Sequence, residues 1–100
     1  MEVKELQDKA KEIVEKIDTK FNVKHDNNNT IMHLMEEVGE LTNNLNKPNI
    51  RNEKIDIENL KEELGDVILL TMQIASNNNI DIEEAVKSKI EILKKRHNII

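Results

Sequence analysis

Glu62-Glu63-Leu64-Gly65-Asp66-Val67 is a near-copy of Glu36-Glu37-Val38-Gly39-Glu40-Leu41, and the chain's only two glycines occupy the same place in both. A glycine inside a helix costs about 1 kcal/mol relative to alanine. The clustered carboxylates also repel one another. Because both costs occur twice, we expect the two segments to gain something in return. The simplest gain is a divalent cation held between two helices.

Apolar residues recur at helical spacing around both motifs, and four helices are predicted. These are residues 3–20, 31–46, 57–76 and 82–97. Asn29 or Thr30 is expected to cap the second helix and Asp81 the fourth. Pro48 should end the second helix, and residues 47–56 form a loop. No segment alternates as a strand does, so the predicted fold class is an all-α, four-helix bundle.

The third predicted helix is apolar on nearly all sides between Val67 and Ala75. A helix of that kind is buried on more than one side, which a lone bundle of this length barely allows. We therefore expect a subunit interface and a homo-oligomer, either a dimer or a tetramer. The alternative is a central helix wrapped by the other three.

The composition restricts the class of protein. Residues 1–100 suit a single domain, and the formal net charge of −5 disfavours binding to a nucleic-acid backbone. No apolar run is long enough to span a membrane. The chain has no cysteine, and its N-terminus lacks the apolar core of a signal peptide. We expect a cytoplasmic protein that binds neither nucleic acid nor membrane.

Four carboxylates are the candidate metal ligands. At helical spacing, Glu37 and Glu40 lie beside the apolar ridge of the second helix. Glu63 lies on the matching flank of the third helix and Asp66 somewhat further round, so antiparallel packing through the ridges would let all four converge. One acidic run is usually only a solvated helix face, but two runs beside apolar ridges favour a site. Oxygen ligands favour Mg²⁺ first and Mn²⁺ second, and Mg²⁺ typically shares its coordination with substrate phosphates.

Further candidates are the residues that could contact a substrate. A triphosphate needs cations besides the metal, and Lys89 and Arg96 lie two turns apart on nearly one face of the fourth helix. Arg51 and Lys54 are the candidates in the loop. His33, one turn before the first ligand candidate, could also reach the site. For each of these residues, a solvated surface position is the alternative.

The chain resembles the MazG-like, all-α nucleoside triphosphate pyrophosphohydrolases over about residues 30–97. The resemblance rests on Glu37-Val38-Gly39-Glu40 followed by Glu63-Leu64-Gly65-Asp66-Val67, and extends through residues 79–85 into Lys89 and Arg96. It implies a Mg²⁺-dependent enzyme that splits a nucleoside triphosphate into the monophosphate and pyrophosphate. It also implies an assembly of two or four chains with sites near the interface.

The resemblance assigns roles to individual residues. The four acids would be the metal ligands, and Glu36 would orient or deprotonate the attacking water. Lys89 and Arg96 would hold phosphates, although Leu93 stands where the family often has an asparagine. The chain has no Trp or Tyr to stack on a base, which suggests a loose preference such as that of an enzyme that removes non-canonical nucleotides.

Two alternatives stay open. Phosphoribosyl-ATP pyrophosphohydrolases share the superfamily and chain length, but they usually carry an aromatic–His pair where this chain has Ile68-Leu69-Leu70-Thr71. The other alternative is a non-catalytic helical oligomer whose acidic patches serve a partner or solubility. A rise in melting temperature on adding Mg²⁺ would favour the enzyme, because a ligand that binds only the folded state stabilises it.

Overall fold

The computed structural model describes residues 1–100, and it is built entirely from helices and their connections. The helices are α1 (Val3–Phe21), α2 (Asn27–Leu45), α3 (Lys47–Ile50), α4 (Ile57–Asn77) and α5 (Ile82–Arg96). The predicted all-α class is therefore confirmed, with four long helices. The fifth, α3, is a single turn inside the predicted loop. Pro48 lies in its first turn, where a residue without an N–H group costs no hydrogen bond.

The start of α2 differs from the prediction. The helix begins four residues earlier than expected, and the side chain of Asp26 accepts a hydrogen bond from the Asn29 backbone N–H at 2.9 Å. Asp26 is therefore the N-cap, and the predicted caps, Asn29 and Thr30, are wrong. A carboxylate also interacts favourably with the positive end of the helix, which explains why it prevails over an amide or hydroxyl. Asp81 caps α5 as predicted.

The central helix of the fold is α4, because both α1 and α2 pack against it. The helices α2 and α4 are antiparallel, since contacts join Asn27 to Asn78 at one end and Asn44 to Glu63 at the other. The fourth long helix, α5, packs on α1. The fully buried apolar core of a single chain is small. It consists of Ala10 on α1 and three residues on α4: Leu70, Met72 and Ala75.

A buried amide joins α1 to the turn between α4 and α5. Gln7 Nε2 donates to the Ile80 carbonyl oxygen at 2.9 Å and to Ser76 Oγ at 3.2 Å. Its Oε1 accepts from the Ile82 N–H at 2.9 Å. Because the side chain is almost fully buried and its bonds are satisfied, Gln7 fixes the position from which α5 begins.

The single chain is open rather than compact. Its accessible surface is 7700 Å², against about 5,800 Å² expected for a monomer of this mass. Its radius of gyration is 16.3 Å, against about 13 Å for a compact domain of this length. None of the helices is both long and apolar enough to cross a lipid bilayer.

Part of the excess surface is an apolar groove between α1 and α4. We call it the outer groove, and its lining residues are Leu6, Leu64, Gly65, Ile68, Leu69 and Met72. Leu64 is 47% exposed and Ile68 51% exposed, although both are large apolar residues of the central helix. The outer groove therefore leaves one side of the central helix uncovered within a single chain.

Candidate active site

The predicted metal ligands lie where the C-terminal half of α2 faces the N-terminal half of α4. We call this region the acidic end of the α2–α4 pair, and its residues are Glu37, Glu40, Asn44, Glu63 and Asp66. Glu37 and Glu63 are half-buried, whereas Glu40 and Asp66 are exposed. The arrangement follows from the helical period, which puts residues three and four apart on one face.

Glu37 is electrostatically the most perturbed group of the acidic end. Burial raises the pKa of the Glu37 carboxyl above its ordinary value, and the negative charges of Glu40 and Asp66 raise it further. His33 acts in the opposite direction, since its Nε2 lies 3.4 Å from Glu37 Oε1. Acids from both motifs therefore act on one another across the α2–α4 contact. A cation placed there would relieve this repulsion.

The Glu63 side chain is held differently. Asn44 Nδ2 donates to Glu63 Oε1 at 3.1 Å, and Glu63 Oε2 makes no hydrogen bond with the protein. Asn44 itself is 4% exposed. Asn44 is not among the site residues predicted from the sequence. The signal that could have identified it is its spacing, two helical turns after Glu37.

Residues 25–100 match the family model of the MazG nucleotide pyrophosphohydrolase domain. The chain belongs to this MazG family. The match includes both acidic motifs, the intervening loop and α5, so the resemblance inferred from the motifs is confirmed. MazG domains are all-helical nucleotide pyrophosphohydrolases, in agreement with the fold. The chain has no significant match among curated proteins or among solved structures.

MazG family enzymes generally depend on a divalent metal, and the acidic end is the part of this chain where such an ion would bind. Its donors are carboxylate oxygens, which suit Mg²⁺, and the pKa of Glu37 is raised by burial and then by the negative charges of Glu40 and Asp66. The side chains do not, however, converge as a group of three or more that could hold an ion by themselves. Mg²⁺ is commonly bound by one or two carboxylates with waters and substrate phosphates completing its shell. The donor chemistry therefore fits, although no ligand cage is formed.

The remaining candidates are distributed over the surface. Glu36 is exposed beside Glu37 and makes no hydrogen bond through its side chain. Arg51 Nη2 donates to Asn43 Oδ1 at 3.2 Å, which ties the loop to the C-terminal part of α2. Lys54 is exposed. Of the two loop candidates, Arg51 therefore lies beside the end of α2.

The candidates on α5 are separated from the acidic end within one chain. Lys89 and Arg96 are exposed and make neither a hydrogen bond nor an ion pair. Their helix packs on α1, whereas the acids belong to α2 and α4. A single chain thus brings the two acidic motifs together, but it does not bring α5 to them.

The two motif glycines have no packing role within one chain. A Cβ atom added at Gly39 or at Gly65 would meet no other atom within 4 Å. Gly65 lies in the wall of the outer groove. The helical cost of these glycines is therefore not explained by crowding inside the chain.

Proposed function

We propose that this MazG-family chain is a Mg²⁺-dependent nucleoside triphosphate pyrophosphohydrolase of the cytoplasm. It would convert a ribo- or deoxynucleoside triphosphate and water to the monophosphate and pyrophosphate. The observation that carries the proposal is that the α2–α4 contact brings the two family motifs together: Asn44 Nδ2 donates to Glu63 Oε1 at 3.1 Å, and the charges of Glu40 and Asp66, after burial, raise the pKa of Glu37. Acids of both family motifs thus form one electrostatically coupled group at the contact of α2 with α4.

In this proposal Glu37, Glu40, Glu63 and Asp66 would supply carboxylate oxygens to the metal, and waters and substrate phosphates would complete its shell. Mn²⁺ would substitute for Mg²⁺, because both accept oxygen ligands. When bound, the ion supplies positive charge that offsets the charges of the phosphates and of the leaving pyrophosphate. Binding would also favour the ionised form of Glu37, since it opposes the charges that disfavour ionisation in the free protein.

Glu36 is the proposed proton acceptor. Its carboxylate is exposed next to Glu37 and has no protein partner, so it is free to contact a water molecule. The water oxygen bonds to the α-phosphorus, the bond from that phosphorus to the bridging oxygen breaks, and pyrophosphate leaves. The water's proton passes to Glu36 and then to solvent. General-base assistance of this kind contributes typically about 10²–10⁴-fold.

Substrate contacts would come from the basic candidates and from His33. Arg51 and Lys54 belong to the loop that joins α2 to α4, and His33 already lies beside Glu37. Lys89 and Arg96 would hold phosphates at the site of another copy. No Trp or Tyr is present to stack on a base, which supports a broad base preference suited to removing non-canonical nucleotides.

We also propose that residues 1–100 form one domain that assembles as a homo-oligomer, a dimer or tetramer. Gln7 supports the single domain, because it bonds α1 to residues within the family match. The excess surface of about 1,900 Å² over a compact monomer supports the assembly. Each chain of an obligate homodimer buries on the order of 1,000–2,500 Å². The outer groove is the apolar surface that a second copy would cover.

The function is tested by measuring pyrophosphate released from a panel of nucleoside triphosphates with Mg²⁺ or Mn²⁺. We expect activity that falls by about 100-fold or more in Glu63→Gln, since disturbing a metal site typically costs at least 10–100-fold. Glu62→Gln is the matched control, because it makes the same change at the neighbouring exposed position and should retain activity. In ¹⁸O-labelled water, the label should appear in the nucleoside monophosphate.

Three results would count against the proposal. Label in the pyrophosphate would place the attack at the β-phosphorus. Equal activity of the Glu62→Gln and Glu63→Gln variants would remove Glu63 from the site. No pyrophosphate from any substrate, together with a melting temperature indifferent to Mg²⁺ and Mn²⁺, would leave the non-catalytic oligomer as the better account. Selective activity on phosphoribosyl-ATP would instead favour the related pyrophosphohydrolases.

A further inference from the structure

Asn44 is the one buried amide of the acidic end, and its three polar hydrogen-bonding contacts join three parts of the chain. Its Nδ2 group donates to Glu63 Oε1 at 3.1 Å and to the Asp56 carbonyl oxygen at 2.9 Å. Its Oδ1 accepts from the Asp56 N–H at 2.9 Å. One side chain of α2 therefore holds both the backbone that precedes α4 and a carboxylate on the first turns of α4.

The orientation of the Asn44 amide is fixed by these partners. Only the oxygen of the amide can accept from the Asp56 N–H, and only the nitrogen can donate to the Asp56 carbonyl. Once the backbone of Asp56 has fixed the plane and direction of the amide, the second hydrogen on Nδ2 is available to Glu63. The backbone of Asp56 thus fixes the rotamer of Asn44 in which Nδ2 donates to Glu63.

This contact leaves Glu63 half-satisfied. Its Oε1 is occupied by Asn44, whereas its Oε2 has no partner in the protein and the residue is half-buried. Because Asn44 already holds one oxygen of the Glu63 carboxylate, the side chain has already lost conformational entropy. Binding a cation through the other oxygen therefore costs less entropy.

We infer that Asn44 is a positioning residue that holds Glu63 for the divalent cation and couples this ligand to the loop before α4. The inference rests on the proposed function, because it takes Glu63 as a metal ligand. The neighbouring Asn43 accepts from Arg51, so two successive asparagines of α2 bind the loop. Asn44 thereby sets the position of the loop relative to the acids.

A purely structural role for Asn44 makes a different prediction, and Gln7 provides the comparison. Gln7 is also a buried amide, 2% exposed, and it also accepts from one backbone N–H and donates to one backbone carbonyl. Its third partner is the Ser76 hydroxyl, not a carboxylate. The two residues thus share a structural role, and only Asn44 contacts a proposed metal ligand.

The test compares Mn²⁺ binding by wild type, Asn44→Ala and Gln7→Ala, measured by electron paramagnetic resonance of free Mn²⁺. Both variants should lose stability. Asn44→Ala should weaken Mn²⁺ binding by about 10–100-fold, the range for residues that orient metal ligands, whereas Gln7→Ala should change it by less than about threefold. In a Glu63→Gln background, the effect of Asn44→Ala on Mn²⁺ binding should largely disappear, because coupled residues are not additive.

A second variant keeps the inference testable if Asn44→Ala does not fold. Asn44→Asp retains an acceptor for the Asp56 N–H and removes the donor to Glu63 and to the Asp56 carbonyl oxygen. The added negative charge alone would strengthen Mn²⁺ binding, so weaker binding by this variant would support positioning, and equal or tighter binding would overturn it. Equal Mn²⁺ affinities of the Asn44→Ala and Gln7→Ala variants would also overturn it. These results leave the proposed function intact, whereas a wild type that neither binds Mn²⁺ nor releases pyrophosphate refutes both.

Discussion

The two ends of the α2–α4 pair are built from the same two helices but differ in how their polar groups are satisfied. At the end opposite the acids, Asn27 and Asn78 exchange hydrogen bonds at 3.2 and 2.9 Å, and Asn77 donates to the His25 carbonyl oxygen at 2.8 Å. We call this the closed end. At the acidic end, the negative charges of Glu40 and Asp66 act on the partly buried Glu37, and Asn44 donates a hydrogen bond to Glu63.

The difference follows from the chemistry of the side chains. An amide carries both donors and an acceptor, so two amides can satisfy each other within the chain. An ionised carboxylate only accepts, so a group of carboxylates needs donors or cations from outside. The closed end therefore completes the fold, while the acidic end and the adjacent outer groove remain incomplete in a single chain.

The largest effect, on the oligomeric state, should come from placing a charge in the outer groove. This change distinguishes a groove that a second copy covers from one that is exposed to solvent. Ile68→Glu places a charge where a second copy is proposed to pack, and burying an unpaired charge costs several kcal/mol. We expect wild type to sediment as a multiple of 11.6 kDa and Ile68→Glu to sediment as a monomer. Ile50→Glu, at a 73% exposed apolar position outside the groove, should assemble like wild type. A monomeric wild type would contradict the proposed assembly.

A smaller effect is expected at Thr30, on α2 near the closed end. Thr30 is fully buried, and its Oγ1 has no hydrogen-bond partner. Thr30→Val keeps the shape and removes the unsatisfied hydroxyl, which should stabilise the protein by about 1 kcal/mol. That gain corresponds to a rise in melting temperature of about 4–8 °C for a domain of this size. Calorimetry of the variant measures it directly.

Thr42 supplies the control on the same helix. Its Oγ1 donates to the Val38 carbonyl oxygen at 2.8 Å and the residue is exposed. Thr42→Val should therefore change the stability by less than about 0.5 kcal/mol. A loss of stability in Thr30→Val would mean that the buried hydroxyl is bonded, for example to a buried water molecule, and that this region is more polar than its contacts indicate.

The fold was largely predictable because apolar spacing alone specifies four amphipathic helices. The caps were harder to predict. Residues 26–30 are all residue types that cap helices, and only the geometry shows that Asp26 meets the free N–H group. The packing of α5 on α1 was not predictable either, because it depends on the turn at Asn79, whose φ is 56°, and on the buried amide of Gln7.

The candidate site divides in the same way. Helical periodicity was enough to place Glu37 and Glu63 on matching flanks of their helices, because that placement depends only on residue spacing and antiparallel packing. The spacing of Asn44 places it on the face of Glu37, but its burial was not predictable, since an asparagine among polar residues is usually a solvated position. Its burial results from how closely α2 approaches the start of α4, and a sequence does not specify that distance.

The smallest expected effect is a pH dependence confined to the acidic end. Burial and the charges of Glu40 and Asp66 raise the pKa of Glu37 above its ordinary value of 4.5. The folded state therefore favours the protonated form, so this group's contribution to stability is present below pH 4.5 and is lost as the pH rises through the raised value. In metal-free protein, Glu37→Gln should match wild type near pH 4 and have a higher melting temperature above that pH.

Adding Mg²⁺ at neutral pH should reverse the order of the two melting temperatures, because only wild type keeps the negative charge that the ion binds. If the variant melts lower than wild type at every pH without metal, the acids of the two motifs are not in conflict, and the contrast between the two ends fails.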